Sequence, residues 1–221
     1  IEQGNAEVVR LKEQIATGSS EIDKKQQQYH REKSRLESLV NITERYDGYG
    51  NSIRKIMELK EQRPGILGVI ADIVKVEKQY ETAIETALGG TIQNIVTDNE
   101  NTAKDLIAYL KQNRFGRATF LPLSAIQVRN TLEGEPCMKE KGVIGAASDL
   151  VRVSFEYEKL AKYLLGRILV VDNIDNALAI ARKYRHSLRI VTLEGEQLNP
   201  GGSMTGGAFK NSSNLLGRRR E

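Results

Sequence analysis

Few residues of this chain could do chemistry, and their spacing narrows what they could do. Pro200-Gly201-Gly202-Ser203-Met204-Thr205-Gly206-Gly207 sets two glycine pairs around a short polar-apolar core. Glycine loses the most backbone freedom on ordering, so such density needs a reason. It permits positive φ angles, a cradle of N–H groups for an anion, or close approach by another backbone. A phosphate cradle needs glycine followed by Lys and then Ser or Thr at a helix start, and neither Gly-Lys-Ser nor Gly-Lys-Thr occurs. Gly89-Gly90-Thr91 is a second anion-cradle candidate. Cys137 is the only cysteine and His30 and His186 the only histidines, so metal spacing, a nucleophile–histidine pair and an intrachain disulfide are all absent. The remaining chemistry is cationic. Lys55, Lys60, Arg63, Lys111, Arg114, Arg117, Arg182, Lys183, Arg185, Arg218, Arg219 and Arg220 are candidates for meeting a polyanion. With aromatics at 5%, contact is expected at backbone phosphates and insensitive to sequence.

These residues must be positioned by a soluble framework. Charged residues at 28% against 39% hydrophobic fit a globular part with a polar helix attached. No apolar run approaches the ~20 residues that span a bilayer, and Glu2, Glu7 and Arg10 interrupt any signal-like core, so no membrane partner is expected. The lone cysteine points to a reducing compartment. The formal charge of +4 permits nucleic-acid contact without requiring it.

Residues 1–46 read as one long helix. Ile1, Val8, Ile15, Ile22, Tyr29 and Leu36 recur every seven residues, with Leu11, Leu39 and Tyr46 on the companion positions. This is a coiled-coil seam, weak at its middle and softened at Gly18-Ser19-Ser20. Asp47–Ser52 breaks it. A short helix over Ile53–Gln62 is expected to stop at Arg63-Pro64-Gly65.

The globular region repeats itself. Gly65-Ile66-Leu67-Gly68 and Asp72 match Gly142-Val143-Ile144-Gly145 and Asp149 at a constant offset, which continues through Tyr80-Glu81 over Tyr157-Glu158 and Leu88-Gly89 over Leu165-Gly166. Each copy then has a strand, a helix (Asn101–Lys111, Asp175–Tyr184) and a second strand (Ala118–Leu121, Arg189–Leu193). Asp98-Asn99 and Asp172-Asn173 sit where short polar side chains cap helices. Opposite Gly89-Gly90-Thr91 stands Gly166-Arg167-Ile168, which favours a turn over a ligand site. The expected fold is α+β: two related α/β units about an approximate two-fold, preceded by a long helix.

Arg63-Pro64-Gly65-Ile66-Leu67-Gly68, Ala87-Leu88-Gly89-Gly90, Gly116-Arg117-Ala118-Thr119-Phe120-Leu121-Pro122-Leu123 and the Pro200–Gly207 stretch together make the chain resemble the hinge of the Structural Maintenance of Chromosomes (SMC) family, a bacterial member most closely. The resemblance implies an arm segment at 1–46, hinge subdomain I at 47–126, a linker at 127–141, subdomain II at 142–209 and the start of a returning arm at 210–221. It implies a homodimer with two contacts, with Gly201, Gly202, Ser203, Met204, Thr205, Gly206 and Gly207 at the contact. It also implies non-specific DNA contact through basic surface, pairing with the chain's own returning arm, a cytoplasmic, nucleoid-associated setting, and no cofactor. The ATPase chemistry of the family is expected to lie elsewhere.

Three functions compete on these residues. The first is a dimerisation hinge joining two arms of a chromosome-organising ATPase. The second is a stand-alone nucleic-acid-binding α/β module. The third, an enzyme domain using the glycines for a phosphorylated ligand, lacks every supporting motif. A zinc-hook apex would need Cys-x-x-Cys, which Cys137 alone excludes.

Overall fold

The computed structural model describes residues 2–46, 49–208 and 215–216, and the chain divides into a unit of residues 1–49 and a unit of residues 50–221. In the first unit α1 (Glu2–Arg45) passes through Gly18-Ser19-Ser20 unbroken. Its apolar seam side chains Val8, Leu11, Ile15, Ile22, Tyr29 and Leu36 are all exposed. An uncovered apolar stripe of this kind is what a helix awaiting a coiled-coil partner presents.

The second unit opens with α2 (Asn51–Met57), shorter than the expected Ile53–Gln62. Past Met57 the N–H groups of Leu59, Lys60 and Gln62 bond to carbonyls three residues back, which tightens the chain into turns ahead of Pro64.

The first copy of the repeat runs β1 (Ile66–Val69), α3 (Ile70–Ile73), β2 (Lys75–Val76), α4 (Glu81–Leu88), β3 (Ile95–Thr97), α5 (Glu100–Gln112) and β4 (Phe120–Pro122). The second runs β5 (Val143–Ala146), β6 (Val151–Arg152), α6 (Glu158–Leu165), β7 (Ile168–Val171), α7 (Ile174–Lys183) and β8 (Arg189–Thr192). A 3-10 turn, Ala147–Leu150, stands where α3 stands in the first copy. The pairing repeats as well. β1 meets β3 antiparallel with an irregularity between Ile66 and Gly68, and β5 meets β7 antiparallel with one between Val143 and Gly145. β3–β4 and β7–β8 are then parallel, each joined across its helix.

The helix starts are built alike. Asn99 Oδ1 accepts from Thr102 N and Asn173 Oδ1 from Asn176 N, satisfying N–H groups that the first turn leaves free. Asp98 and Asp172 each accept from the N–H of the following asparagine. The ends match too: Arg114 and Arg185 follow α5 and α7 at φ 54 and 53.

The copies meet at β2 and β6, which pair antiparallel with Lys75 opposite Arg152. Those two residues are counterparts in the repeat, and a residue facing its own counterpart is what a local two-fold axis requires. Arg189 adds a second tie, donating from Nη2 to Ala87 O at the end of α4.

The copies differ at their margins. The first sheet has the order β1-β3-β4; the second continues past β8 through β9 (Gln197–Leu198) and β10 (Met204–Thr205), giving β10-β9-β8-β7-β5. Neither short strand is expected from the sequence, where glycines interrupt the alternation that marks a strand. The second core gathers Leu132, Cys137, Leu169, Ile180, Ile190 and Leu198, so the linker is packed into it and not merely draped over it. Burial raises the Cys137 thiol pKa.

Candidate dimer and nucleic-acid interfaces

The glycine stretch forms the tip and outer strand of a hairpin. Gly202 N donates to Asn199 O and Asn199 N to Ser203 O, closing the turn between β9 and β10. Gly201, Gly202 and Gly207 have φ of +88, +100 and +130, where a side chain would be strained. Gly206 has no such φ; there a Cβ would lie 3.2 Å from Glu196 Cγ. A Cβ at Gly201 or Gly207 would meet nothing within 4 Å, so these glycines border open space. Residues 201–208 are all exposed.

Among the described residues β10 pairs only with β9, so its other side offers unpaired backbone groups. Met204 lies opposite Leu198. Partners in an antiparallel pair share a face, and Leu198 packs with Ala177 and Ile180 of α7. Met204 is therefore on the α7 side of the sheet, more than half exposed.

The first copy ends at β4, whose only partner among the described residues is β3. Beside it is a groove of about 300 Å³ lined by Ile107, Leu110, Lys111, Gly116, Arg117 and Ala118. Ile107 is 53% exposed, although α5 buries Leu106 and Leu110 against the sheet.

Most of the candidate cations fall into two described groups; Lys60 stands apart, its Nζ 3.6 Å from where a Cβ on Gly68 would lie. Ser52 Oγ donates to Arg117 O, and Lys55 Nζ lies 5.8 Å from the centre of the Phe115 ring, so α2 brings Lys55 to the Arg114–Arg117 segment. Lys55 also pairs with Glu58 at 3.0 Å. Arg63 is exposed, in a groove with Tyr109 and Asp105. The second group, Arg182, Lys183 and Arg185, closes α7. Gly201 N donates to His186 O, which fixes this helix end against the glycine turn. Lys183 is engaged, 2.6 Å from Glu140 Oε1. Its hydrogen bond, and then that of Tyr184, hold the Glu140 carboxyl below its usual range, while burial and Glu140 push the Tyr184 hydroxyl up to about 12. Arg218, Arg219 and Arg220 lie outside the described residues.

Sequence reasoning passed over a third basic surface. Arg129 in the linker and Lys162 and Arg167 around the end of α6 line one groove with Tyr163. They are scattered in sequence and no motif joins them. The only signal was the pattern of the exposed face of α6, legible once its buried face was known. Among the described residues no cluster of His, Cys, Asp or Glu could hold a metal, and no helix is long and apolar enough to cross a membrane.

Comparison with known proteins places this geometry. A family model described as "SMC proteins Flexible Hinge Domain" matches residues 63–181. The chromosome partition protein Smc of Desulfitobacterium hafniense (strain Y51) is 39% identical over 225 residues, spanning 100% of this chain and 19% of that protein. The protein of the same name from Bacillus subtilis (strain 168) is 40% identical over 213 residues, 95% of this chain and 18% of the relative. The chain thus spans about a fifth of the length of the curated relatives it matches. A crystal structure of an asymmetric dimer of the Geobacillus stearothermophilus SMC hinge domain aligns with TM-score 0.73 at 37% identity, covering 88% of this chain and 79% of that one. The Pyrococcus furiosus SMC protein hinge domain aligns with TM-score 0.60 at 30% identity, covering 81% and 96%.

Proposed function

The chain belongs to the SMC flexible-hinge family, and from that premise we propose that it is a homodimerisation module joining coiled-coil arms in a chromosome-partitioning ATPase. The observation that carries this reading is the exposed two-residue strand β10, set among glycines at the margin of the second sheet. The first sheet stops at β4 and has no counterpart to it. In the dimer, β10 of one chain adds to β4 of the other, extending a sheet across the interface by main-chain hydrogen bonds. The two-fold makes the contact twice.

Topology selects the direction of that pairing. Parallel crossovers take the right-handed sense as a rule, here applied to both, β3 to β4 over α5 and β7 to β8 over α7. Setting β4 antiparallel to β10 then puts α5 of one chain and α7 of the other on the same face. Met204, on the α7 side, meets the groove at Ile107 and Ala118 of its partner copy. Parallel pairing would put the helices on opposite faces and leave Met204 in water. The Geobacillus stearothermophilus relative is described as a hinge dimer, which supports the same reading. The subdomain limits 47–126 and 142–209, with a linker at 127–141, fit a module of this kind.

The test is molar mass in solution. Sedimentation of the chain is expected to give a dimer, and replacing Gly201, Gly202, Gly206 and Gly207 by bulky residues a monomer. A wild-type monomer at high concentration, or a dimer that persists after the replacements, overturns the proposal.

A second function, non-specific contact with double-stranded DNA, is favoured by the joining of Lys55 to the Arg114–Arg117 segment. Duplex binding should then fall steeply with added salt; binding indifferent to salt would rule it out. With relatives that partition chromosomes, the proposed setting is the nucleoid.

A further inference from the structure

The linker contains a strap anchored at both ends. Ile126 and Leu132 are buried, and Leu132 N donates to Gly166 O at 2.8 Å. A Cβ on Gly166 would lie 2.5 Å from Lys162 O and 3.0 Å from Thr131 Cγ2, so the strap seats itself through glycine's missing side chain. Between the anchors, residues 127–131 run without a turn or bend. Among the described residues they make no hydrogen bond, by main chain or side chain. Their N–H and C=O groups are left to water, as on the edge of a sheet. Five residues of open chain present about 16 Å of such edge.

The groove beside this strap carries one sign of charge. Arg129 stands with Lys162, Tyr163 and Arg167 around a space of about 610 Å³, with Gln127 and Asn130 also on its wall and no carboxylate. Arg129, Lys162 and Arg167 are exposed, and among the described residues they make no ion pair. Leu160, Ala161 and Leu165 bury the other side of α6, which leaves the Tyr163 ring half exposed on this one.

The first copy shows the same helix face in use. At the matching positions it carries Glu85, Thr86 and Gly90 in place of Lys162, Tyr163 and Arg167. There Glu85 is buried and accepts from Leu215 N at 3.0 Å, and Leu216 is buried. An acid on the helix thus takes a main-chain N–H from a passing segment. In the second copy the charge at that position is inverted and the face is open. A segment docking there must bring the acids itself.

We propose that the strap at residues 127–131 and the neighbouring end of α6 form a docking groove for an extended acidic peptide of a partner protein. The peptide's main chain pairs with the strap as an added strand. Its Asp or Glu side chains meet Arg129, Lys162 and Arg167, and an apolar side chain lies on Tyr163. The open main chain is what selects a peptide. A peptide backbone alternates donors and acceptors as the strap does. A phosphodiester backbone carries acceptors only and would leave the strap's carbonyls unmet. The groove shares no residue with β10 or with the Lys55–Arg117 cluster, so it does not rest on dimerisation or on duplex binding.

The test pans a random twelve-residue peptide library, displayed on phage, against the whole chain and measures the most enriched peptide by fluorescence anisotropy. Enriched sequences are expected to carry Asp or Glu at alternate positions. R129E/K162E/R167E should abolish binding, Y163A should weaken it about tenfold, and K55E/R114E/R117E should spare it. Methylating alternate backbone nitrogens of the peptide should cost about tenfold or more, a loss that charge attraction alone does not produce. These variants alter exposed side chains, so their thermal melts and molar mass should match wild type. Enrichment without acids, affinity untouched by the charge reversal or by backbone methylation, or displacement by a thymidine 30-mer at lower concentration than by unlabelled peptide would each overturn the proposal.

Discussion

The two copies of the repeat are the same structure put to different ends. Strand order, strand sense, the strand irregularity at the first pair, the asparagine caps and the positive-φ arginine after the last helix all coincide. What differs is peripheral. The first sheet ends at β4, while the second gains β9 and β10; the face of α4 is covered near Glu85, while that of α6 is open. The difference teaches that an α/β unit is held by its core and caps, so its margins and outer faces are free to diverge, and in this chain the candidate functions lie there.

The comparison breaks most sharply at the margins. M204K puts a charge on the strand proposed to enter the partner copy, and I107K puts one at its destination. Each should weaken the dimer about tenfold to a hundredfold by sedimentation equilibrium. K75Q, near the internal axis, should leave it unchanged. Equal effects from all three would mean that the margins are not special.

The next largest effect separates two matching glycines. A Cβ at Gly142 would fall 2.4 Å from Asn176 Nδ2 and 2.5 Å from Asp172 Oδ1, with φ at +85. At Gly65 the corresponding approach is 2.8 Å to Asp98 Oδ1 and Thr102 Oγ1, with no positive φ. G142A should cost about 3 kcal/mol in urea unfolding and G65A about 1 kcal/mol, because only the first adds backbone strain. A smaller cost at Gly142 would contradict the geometry.

The caps sharpen the likeness. N99A and N173A should each lose about 1 kcal/mol, and by nearly the same amount, since the same bond is lost. A gap between them larger than either loss would show that the copies differ in their cores too.

The smallest effect is in pH. Glu140 titrates below its ordinary pKa in the folded chain, so its contribution is present above about 4.5 and fades as pH falls through the lowered value. Tyr184 is raised from 10.0 to about 12, so its contribution is complete below 10 and fades as pH rises through 12. Thermal melts should therefore decline at both ends. Y184F should remove this alkaline decline, and E140Q should blunt both. An acid or alkaline decline unaffected by either variant would place its origin outside this pair.

How much the sequence reveals follows the same division. The repeat, its helices and its capping asparagines are legible because hydrophobic period and cap chemistry are local. The α2 boundary was not, since the turns after Met57 depend on where Pro64 must go. β9 and β10 were hidden because two-residue strands have no period to read. The glycines were legible as positions that need a reason, but not which one: at Gly201, Gly202 and Gly207 the turn itself demands a positive φ. Of the Arg129–Arg167 groove only the α6 side left a trace in the sequence, since the contact between Leu132 and Gly166 joins residues that no local pattern relates.

Leu215 N bonds to Glu85, and Leu216 is buried. The chain thus enters the second unit beside the first copy, traverses the second, and comes back to α4. Tension applied between Gly50 and Leu216 would be carried through the first copy and would largely bypass β10. The strand proposed to join a second copy then lies off that direct path, where traction on those two points need not peel it away.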